Sequence, residues 1–396
     1  MDRGYPRVTV SKKCERFIKG GHVWVYHDEI RAVDGRYENG DIVDVLTEKG
    51  RYLGSGTIND NSKIRVRILS KNANDRFDEA FYRRRIDYAI DYRMTVMGED
   101  FSSCRLIFGE ADGFPGLTVD KFENVLVAQV LSLGIDRVKG VLFRQLVDSL
   151  KERGYEIEAI YERNDVKIRE LEGLSCYKGF YPLEGLRSDL NGEVIITENG
   201  IRYTVDYIEG QKTGFFLDQK YNRRAVAKIA AGKRVLDCFT HTGAFALNAA
   251  RTAEHVTAVD VSQTAVDRAK SNAELNGITN VDFVTANVFE LLTQAENERR
   301  HDWELIILDP PAFTKSRSTA RSAERGYKEI NLKAMKLLPR GGYLATCSCS
   351  HFMPDAQFRK CCFPPPLTQT SASDRQNADS RVPITRSFGA SRKLTI

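Results

Sequence analysis

The sequence predicts an α/β fold in which a parallel sheet carries helices and is preceded by two smaller regions. Beyond residue 190, apolar strand patterns alternate with helical patterns, which is typical of a parallel sheet with right-handed crossovers. Residues 6–69 instead show short alternating strands separated by glycines, which indicates a small β barrel. Residues 76–161 mix helical periodicity with strands and predict a small α+β region.

The bulk composition excludes several classes of protein. The 396 residues are enough for two or three domains, and 42% hydrophobic with 29% charged residues is ordinary for a globular chain. No apolar run approaches the roughly 20 residues of a membrane helix, so we expect a cytoplasmic protein without a membrane partner. Eight scattered cysteines indicate free thiols, and no C-x-x-C combines with a histidine pair at zinc spacing to support a metal.

The elements of the first half follow from local patterns. A short helix over residues 12–21 ends at glycines, which tolerate positive φ. A longer helix over 76–97 has an apolar face, and turn residues over 182–192 mark a linker. We therefore predict domains over residues 1–72 and 73–188. The strands predicted within them are 23–26, 41–45, 52–57, 63–68, 125–131 and 157–161, with a further helix over 138–151.

The elements after residue 190 predict the main sheet. The strand patterns at 193–197 and 201–206 predict a hairpin. Apolar runs and amphipathic stretches then alternate, which predicts a third domain over residues 189–358. Its strands are 235–237, 256–260, 283–285, 305–308 and 343–346, and its helices are 244–252, 265–276 and 324–338.

Three polar residues follow three successive strands of that sheet. Asp237 stands at the tip of the first, before a turn of small residues that includes Gly243 and lets a cofactor approach the backbone. Asp260 ends the next strand, where a carboxylate accepts hydrogen bonds from ribose hydroxyls, and Asn287 follows the third, where an amide could bond an adenine edge. Because no G-x-G-x-x-G is present, a nucleoside cofactor without a diphosphate fits best. The alternative is that both aspartates only cap the helices that follow.

Two further segments bring a carboxylate and a thiol to the same edge of the sheet. Asp309 and two prolines end one apolar strand, and Cys347 and Cys349 end another. A thiolate that adds to carbon 6 of a pyrimidine makes carbon 5 nucleophilic, so this pairing indicates pyrimidine chemistry. The alternative is an inert buried cysteine. Spacing alone cannot choose between the two thiols, because alternate residues of a strand share one face.

Two basic clusters are compatible with a polyanionic partner. The net charge is only +5, but arginines at 83–85 and 93, and four cations over 317–328, could neutralise phosphates. The alternative for each cluster is a solvated helix face.

These motifs together resemble a known family. The polar residues at the strand tips are similar to those of the Rossmann-like S-adenosylmethionine methyltransferases, and residues 210–219 are the most specific local match. With its D-P-P-A-F and S-C-S segments and its N-terminal barrel, the chain resembles the bacterial large-subunit (23S) ribosomal RNA cytosine-5 methyltransferases that carry a PUA domain. The resemblance covers roughly residues 5–358. It implies a PUA-like RNA-binding barrel, a linking α+β domain, a Rossmann-like catalytic domain, and S-adenosyl-L-methionine as cofactor.

The resemblance also implies roles for individual residues. The residues that would hold or enclose S-adenosylmethionine are Asp237, Gly243, Asp260, Asn287, Thr213, Phe216 and Asp218. Cys349 would be the thiolate that adds to cytosine, because the family places its reactive cysteine between two serines. Asp309 would bind the base at N3 and N4. The implied activity is formation of 5-methylcytosine in 23S-type ribosomal RNA, and a homodimer is left open.

Two alternative functions remain open. The first alternative is methylation of an exocyclic amino group, because amino methyltransferases bind the target nitrogen with Asp-Pro-Pro followed by an aromatic residue. In this sequence the aromatic residue, Phe313, lies one residue beyond the strict pattern. The second, from a different class, is a catalytically inactive RNA-binding protein that uses residues 1–70 and the basic clusters. Methylation at carbon 5 and methylation at the amino group both require an accessible or extruded base.

The end of the chain departs from the family pattern. From Arg359 onward the periodicity is lost, which predicts a disordered tail over residues 359–396. The family would instead continue the helix through Gln357 and add two antiparallel strands. We therefore hypothesise an altered reading frame or a truncation, and expect an exposed sheet edge beside the Cys349 strand. Retranslating the gene in its other frames would test this idea.

Overall fold

A computed structural model describes residues 3–314, 319–350, 352–362 and 393–395. The chain divides into two units, each with its own sheet and buried apolar residues. The first unit contains residues 1–196 and 205–215, and the second contains 197–204 and 216–396.

The first unit begins with a six-stranded sheet in the region of the predicted barrel. Its elements are β1 (Arg7–Val10), α1 (Lys12–Lys19), β2 (Trp24–Tyr26), β3 (Ile30–Asp34), β4 (Ile42–Thr47), β5 (Tyr52–Ile58) and β6 (Ile64–Ser70). The strands pair in the order β2-β6-β5-β4-β1-β3. Alternation along β1 buries Val8 and Val10. Helix α1 begins after Ser11, whose Oγ accepts a hydrogen bond from the N–H of Cys14 (3.1 Å).

The same unit continues with a five-stranded sheet and two helices. Its elements are α2 (Glu79–Met97), β7 (Ser103–Phe108), β8 (Leu117–Phe122), β9 (Val125–Val130), α3 (Leu133–Glu152), β10 (Ala159–Asn164) and β11 (Tyr177–Phe180). The strand order is β11-β10-β9-β8-β7. The apolar faces of the helices supply Phe81, Ile86, Phe143 and Leu146 to one core. The predicted hairpin follows as β12 (Glu193–Glu198) and β13 (Ile201–Asp206), of which residues 197–204 belong to the second unit.

The second unit contains the predicted α/β sheet. Its elements are α4 (Lys220–Ile229), β14 (Arg234–Cys238), α5 (Ala244–Ala250), β15 (His255–Asp260), α6 (Gln263–Leu275), β16 (Val281–Thr285), α7 (Val288–Asn297), β17 (Leu305–Leu308), α8 (Ala320–Leu337), β18 (Tyr343–Ser348), α9 (Asp355–Cys362) and β19 (Lys393–Thr395). The strand order is β16-β15-β14-β17-β18-β19, and the first five strands are parallel. Because the order reverses between β14 and β17, their carboxyl ends flank the crevice where open α/β sheets bind ligands.

The structure corrects the prediction for the end of the chain. Helix α9 continues past Arg359 to Cys362, because Phe358, Cys361 and Cys362 are buried in a cluster with Tyr327 of α8. Strand β19 pairs antiparallel with β18, so the edge that we expected to be exposed is paired over these three residues. The predicted disorder of residues 363–392 lies outside the described residues and stays a prediction.

Candidate active site

Asp237 lies buried at the carboxyl end of β14. Its Oδ2 accepts hydrogen bonds from the hydroxyl of Thr240 (2.6 Å) and from the N–H of Ala246 in α5 (2.9 Å). Within the part of the chain that the structure describes, its buried Oδ1 has no hydrogen-bond partner. Because a buried carboxylate oxygen without a donor costs free energy, this atom is suited to receive a donor from a ligand.

The environment of Asp237 also shifts its titration. Burial raises the pKa of this carboxyl to about 7; the hydrogen bond from Thr240 opposes the shift, and the charge of Asp309 adds to it. A strongly shifted carboxyl in a crevice is typical of a functional site. A cationic ligand group beside it would favour the ionised form.

The turn between β14 and α5 has an uncommon backbone. Phe239, His241 and Gly243 have φ of 64°, 51° and 83°, which lie in the left-handed region. The N–H of His241 donates to Oδ2 of Asp260 (2.9 Å), which ties this turn to the end of β15. At Gly243 a Cβ would lie 3.0 Å from the Cβ of Ala269, so both the conformation and the close contact favour glycine.

The two other predicted cofactor residues each hold a neighbouring turn. Oδ1 of Asp260 accepts from the N–H of Ser262 (3.0 Å), and the exposed Asn287 caps α7 by accepting from the N–H of Phe289 (2.9 Å). Asn287 therefore caps a helix, a role that we had considered only for the two aspartates, and capping uses only its carbonyl oxygen. Val261, beside Asp260, is 71% exposed, and an apolar side chain open at this edge is a feature that our sequence analysis missed.

Asp309 lies at the end of β17, the strand next to β14. Its Oδ2 accepts a hydrogen bond from Nε2 of the fully buried Gln219 (3.0 Å). The side chain of Asn222 in turn donates to Oε1 of Gln219 and fixes the orientation of its amide. The sequence analysis included Gln219 in the segment 210–219 without assigning it a role.

The structure distinguishes the two cysteines at the end of β18. Cys347 is 0% exposed and belongs to the apolar core of the sheet. Strand β18 ends at Ser348, so Cys349 lies beyond the strand and the argument that both thiols share one face does not apply. Cys349 is partly exposed, and its Sγ lies 3.8 Å from the carbonyl oxygen of Pro310, next to Asp309.

The segment before α4 contains the three remaining residues that we predicted to enclose the cofactor. The ring of Phe216 lies 5.5 Å from the ring of His241, edge to face, and Asp218 is half-buried in a 3-10 turn, Leu217–Gln219. Thr213 belongs to the first unit, where its buried hydroxyl donates to Oδ2 of Asp120 (2.6 Å). This bond gives the hydroxyl a structural partner, and a cofactor contact of Thr213 stays a prediction.

The basic clusters differ from one another. The arginines at 83–85 and 93 are paired within the first unit, which accounts for most of that cluster. The pairs are Arg83 with Asp87 and Glu152, Arg84 with Asp75, Arg85 with the carbonyl of Gly113, and Arg93 with Asp112. In the second unit, the described cations of the other cluster lie exposed on α8, and we call them the α8 basic face: Arg321, Arg325 and Lys328. Arg317 lies outside the described residues.

The strand order and the acidic residues at the ends of β14, β15 and β17 define a Rossmann-like S-adenosylmethionine-dependent methyltransferase domain. Residues 179–361 match the family model described as S-adenosylmethionine-dependent methyltransferase, and residues 8–71 match the model of the PUA-like domain. The predicted fold class and cofactor are thereby confirmed.

The relatives identify the family within this class. Over 364 residues the chain is 40% identical to the ribosomal RNA large subunit methyltransferase I of Shewanella denitrificans, which covers 89% of this chain and 88% of that protein. Over 362 residues it is 39% identical to the protein of the same name from Aeromonas salmonicida, with coverage of 89% and 88%. The chain belongs to the ribosomal RNA large subunit methyltransferase I family, and the predicted family and enzyme class are confirmed.

Solved structures share the fold over the whole length. A protein from Streptococcus mutans, described as a SAM-dependent methyltransferase, is 18% identical, with a TM-score of 0.76 and coverage of 98% of both chains. A structure described as a methyltransferase complexed with SAH gives the same values. No helix among the described residues has the length and apolar character needed to cross a membrane.

Proposed function

We propose that this protein methylates carbon 5 of a cytosine in large-subunit ribosomal RNA. The observation that carries the proposal is the position of Cys349, whose partly exposed thiol lies 3.8 Å from the carbonyl oxygen of Pro310, beside Asp309. The names of the relatives support the RNA substrate. The neighbouring thiol and carboxylate support the choice of carbon 5.

The residues at the strand ends fit S-adenosylmethionine. The buried Oδ1 of Asp237 can accept from the amino group of the cofactor, and the carboxylate favours a cationic ligand. We assign the ribose to Asp260 and the adenine to Asn287, with the exposed side chain of Val261 against the adenine ring. Gly243 keeps the turn close to the ligand, and Phe216 and Asp218 line the same site. When bound, the cofactor supplies an electrophilic methyl group.

The side chains of this protein would carry the remaining steps. The thiolate of Cys349 adds to carbon 6 of the cytosine, and a bond pair moves to carbon 5, which becomes nucleophilic. Asp309 holds the N3 and N4 edge of the base by accepting from the N4 amino group and sharing a proton with N3, and Gln219 fixes the carboxyl group through Oδ2. After methyl transfer, a base removes the proton from carbon 5, the electron pair of the broken C–H bond re-forms the double bond between carbons 5 and 6, and the thiolate leaves carbon 6.

Matched cysteine variants test this proposal. Cys349→Ala should abolish 5-methylcytosine formation in a large-subunit RNA transcript, whereas Cys347→Ala should retain it apart from a loss of stability. Digestion of the transcript to nucleosides and mass spectrometry identifies the product. Methylation that persists in Cys349→Ala, or a product methylated on nitrogen, would contradict the proposal.

The two alternatives receive less support. For amino methylation, Phe313 would have to face the target, yet its ring lies 4.6 Å from the ring of the buried Tyr327 and packs into the second unit. In a protein that only binds RNA, no cofactor would supply a hydrogen-bond donor to the buried Oδ1 of Asp237. Calorimetry with S-adenosylmethionine separates this case, because a pure RNA-binding protein would show no heat of binding.

The proposal includes the organisation of the chain. We assign residues 1–72 to a PUA-like RNA-binding domain, 73–188 to a linking domain and 189–358 to the catalytic domain. The α8 basic face provides exposed cations for RNA phosphates. We place the protein in the cytoplasm, where large-subunit RNA is modified, and a homodimer stays a prediction that sedimentation can test.

A further inference from the structure

Tyr327 of α8 lies between the two segments that carry Asp309 and Cys349. Its side chain is 0% exposed. Its ring lies 4.6 Å from the ring of Phe313 and 5.3 Å from that of Phe358. Because a buried phenol needs hydrogen-bond partners, the bonds of its hydroxyl indicate what it does.

The hydroxyl of Tyr327 is hydrogen-bonded to both serines that flank Cys349. It accepts from Oγ of Ser348 (3.0 Å) and lies 2.9 Å from Oγ of Ser350. A phenolic oxygen has one proton and two lone pairs, so it can make both bonds at once.

These bonds and the contact with the ring of Phe313 join the two reactive segments through one side chain. Ser348 and Ser350 are the neighbours of Cys349 on either side, and the N–H of Ser350 also points to Oγ of Ser348 (3.4 Å). Phe313 belongs to the loop that begins at Asp309. The hydroxyl therefore holds the residues on both sides of the thiol against a side chain whose ring packs on the loop that carries the carboxylate.

We propose that Tyr327 is a positioning residue, whose hydroxyl sets the distance between the thiol of Cys349 and the base held by Asp309. This inference rests on the proposed function. A phenylalanine would fill the same volume, so packing alone does not require the hydroxyl. Displacement of a reacting group by about 1 Å can lower a rate roughly 100-fold, which makes such a connection important for chemistry.

The test compares Tyr327→Phe with a packing control, Phe358→Leu, in the full chain. The control disturbs the contact with the same ring and leaves the hydroxyl in place. Four measurements are needed: the thermal midpoint, the Kd of S-adenosylmethionine, single-turnover methylation of a large-subunit RNA transcript, and the pH profile of alkylation of Cys349 by iodoacetamide, followed on its peptide by mass spectrometry.

We expect Tyr327→Phe to slow single-turnover methylation at saturating RNA by about 10- to 100-fold. The Kd of the cofactor should change by less than about threefold, since the loss is in chemistry and not in binding. The alkylation profile of Cys349 should shift, because the backbone around the thiol is released. Phe358→Leu should lower the thermal midpoint and keep both the methylation rate and the alkylation profile.

The inference is overturned if Tyr327→Phe has the methylation rate and the Cys349 alkylation profile of the parent. It is also overturned if Phe358→Leu lowers the methylation rate as much as Tyr327→Phe does. Should Tyr327→Phe fail to fold, Ser350→Ala removes only one of the bonds and should show a smaller change in the same direction; an unchanged Ser350→Ala would overturn the inference. The alkylation profile requires no RNA. It therefore reports on Tyr327 even if methylation by Cys349→Ala shows that the proposed function is wrong.

Discussion

Acidification through the titration range of Asp237 should weaken the binding of S-adenosylmethionine. In the ligand-free protein, burial holds the pKa of this carboxyl at about 7, and the ligand adds positive charge that favours the carboxylate. Binding at lower pH must therefore first remove a proton. The affinity should fall tenfold for each pH unit well below the pKa and level off above it.

The size of the effect follows from the shifted pKa. For a pKa of about 7, the fraction of carboxylate differs roughly 25-fold between pH 5.5 and 7.5, which corresponds to about 2 kcal/mol of binding free energy. Titration calorimetry over this range gives the Kd. Repeating it in buffers of different ionisation enthalpy gives the number of protons released, which should approach one at pH 5.5.

Two variants of the same site sharpen this experiment. Asp237→Asn should weaken binding and remove the pH dependence, because the amide cannot titrate. Thr240→Val removes the hydrogen bond that stabilises the carboxylate, so the midpoint of the pH dependence should move to higher pH. A constant Kd from pH 5.5 to 7.5 without proton release in the parent protein would refute the reasoning.

Three further predictions concern stability and RNA binding. Without cofactor, the contribution of Asp237 to stability should decrease as pH rises from the ordinary pKa of 3.8 to about 7, because the folded state holds the proton more tightly. The loss amounts to roughly 4 kcal/mol at most. Urea titrations at several pH values measure it, and the pH dependence should be absent in Asp237→Asn. Gly243→Ala should lower the free energy of unfolding by about 1–3 kcal/mol, since φ is 83° and the new Cβ would meet Ala269; a thermal midpoint equal to that of the parent would count against this account. Alanine at all positions of the α8 basic face should weaken RNA binding and reduce the slope of log K against log salt by up to about 3, measured by filter binding, and an unchanged slope would exclude phosphate contacts there.

The main sheet and the positions of Asp237, Asp260 and Asp309 could be predicted because they depend on local order. Each carboxylate follows an apolar strand, and parallel strands align their carboxyl ends at one edge. The same rule could not rank Cys347 against Cys349. The choice depends on where β18 ends, and the apolar pattern of the strand does not mark its last residue.

Residues whose roles depend on long-range contacts could not be predicted. Gln219 reaches Asp309 across 90 positions of sequence, and Tyr327 reaches Ser348 across 21. The arginines at 83–85 look like a free cationic surface until their acidic partners are placed. The part of helix α9 beyond Arg359 was not predicted, because its apolar residues are buried by packing against Tyr327 of α8, which the local sequence does not show.

The left-handed residues between β14 and α5 have a consequence for protein engineering. Phe239 and His241 hold conformations that cost roughly 1 kcal/mol or more each, so this loop lowers the thermal tolerance of the free protein. Phe239→Gly and His241→Gly would relax the backbone there and also widen the range of shapes that the loop adopts. A thermostable version of this protein should therefore be sought by substitutions elsewhere. A relaxed turn would no longer be preorganised for the ligand, and its ordering would cost conformational entropy at every binding event.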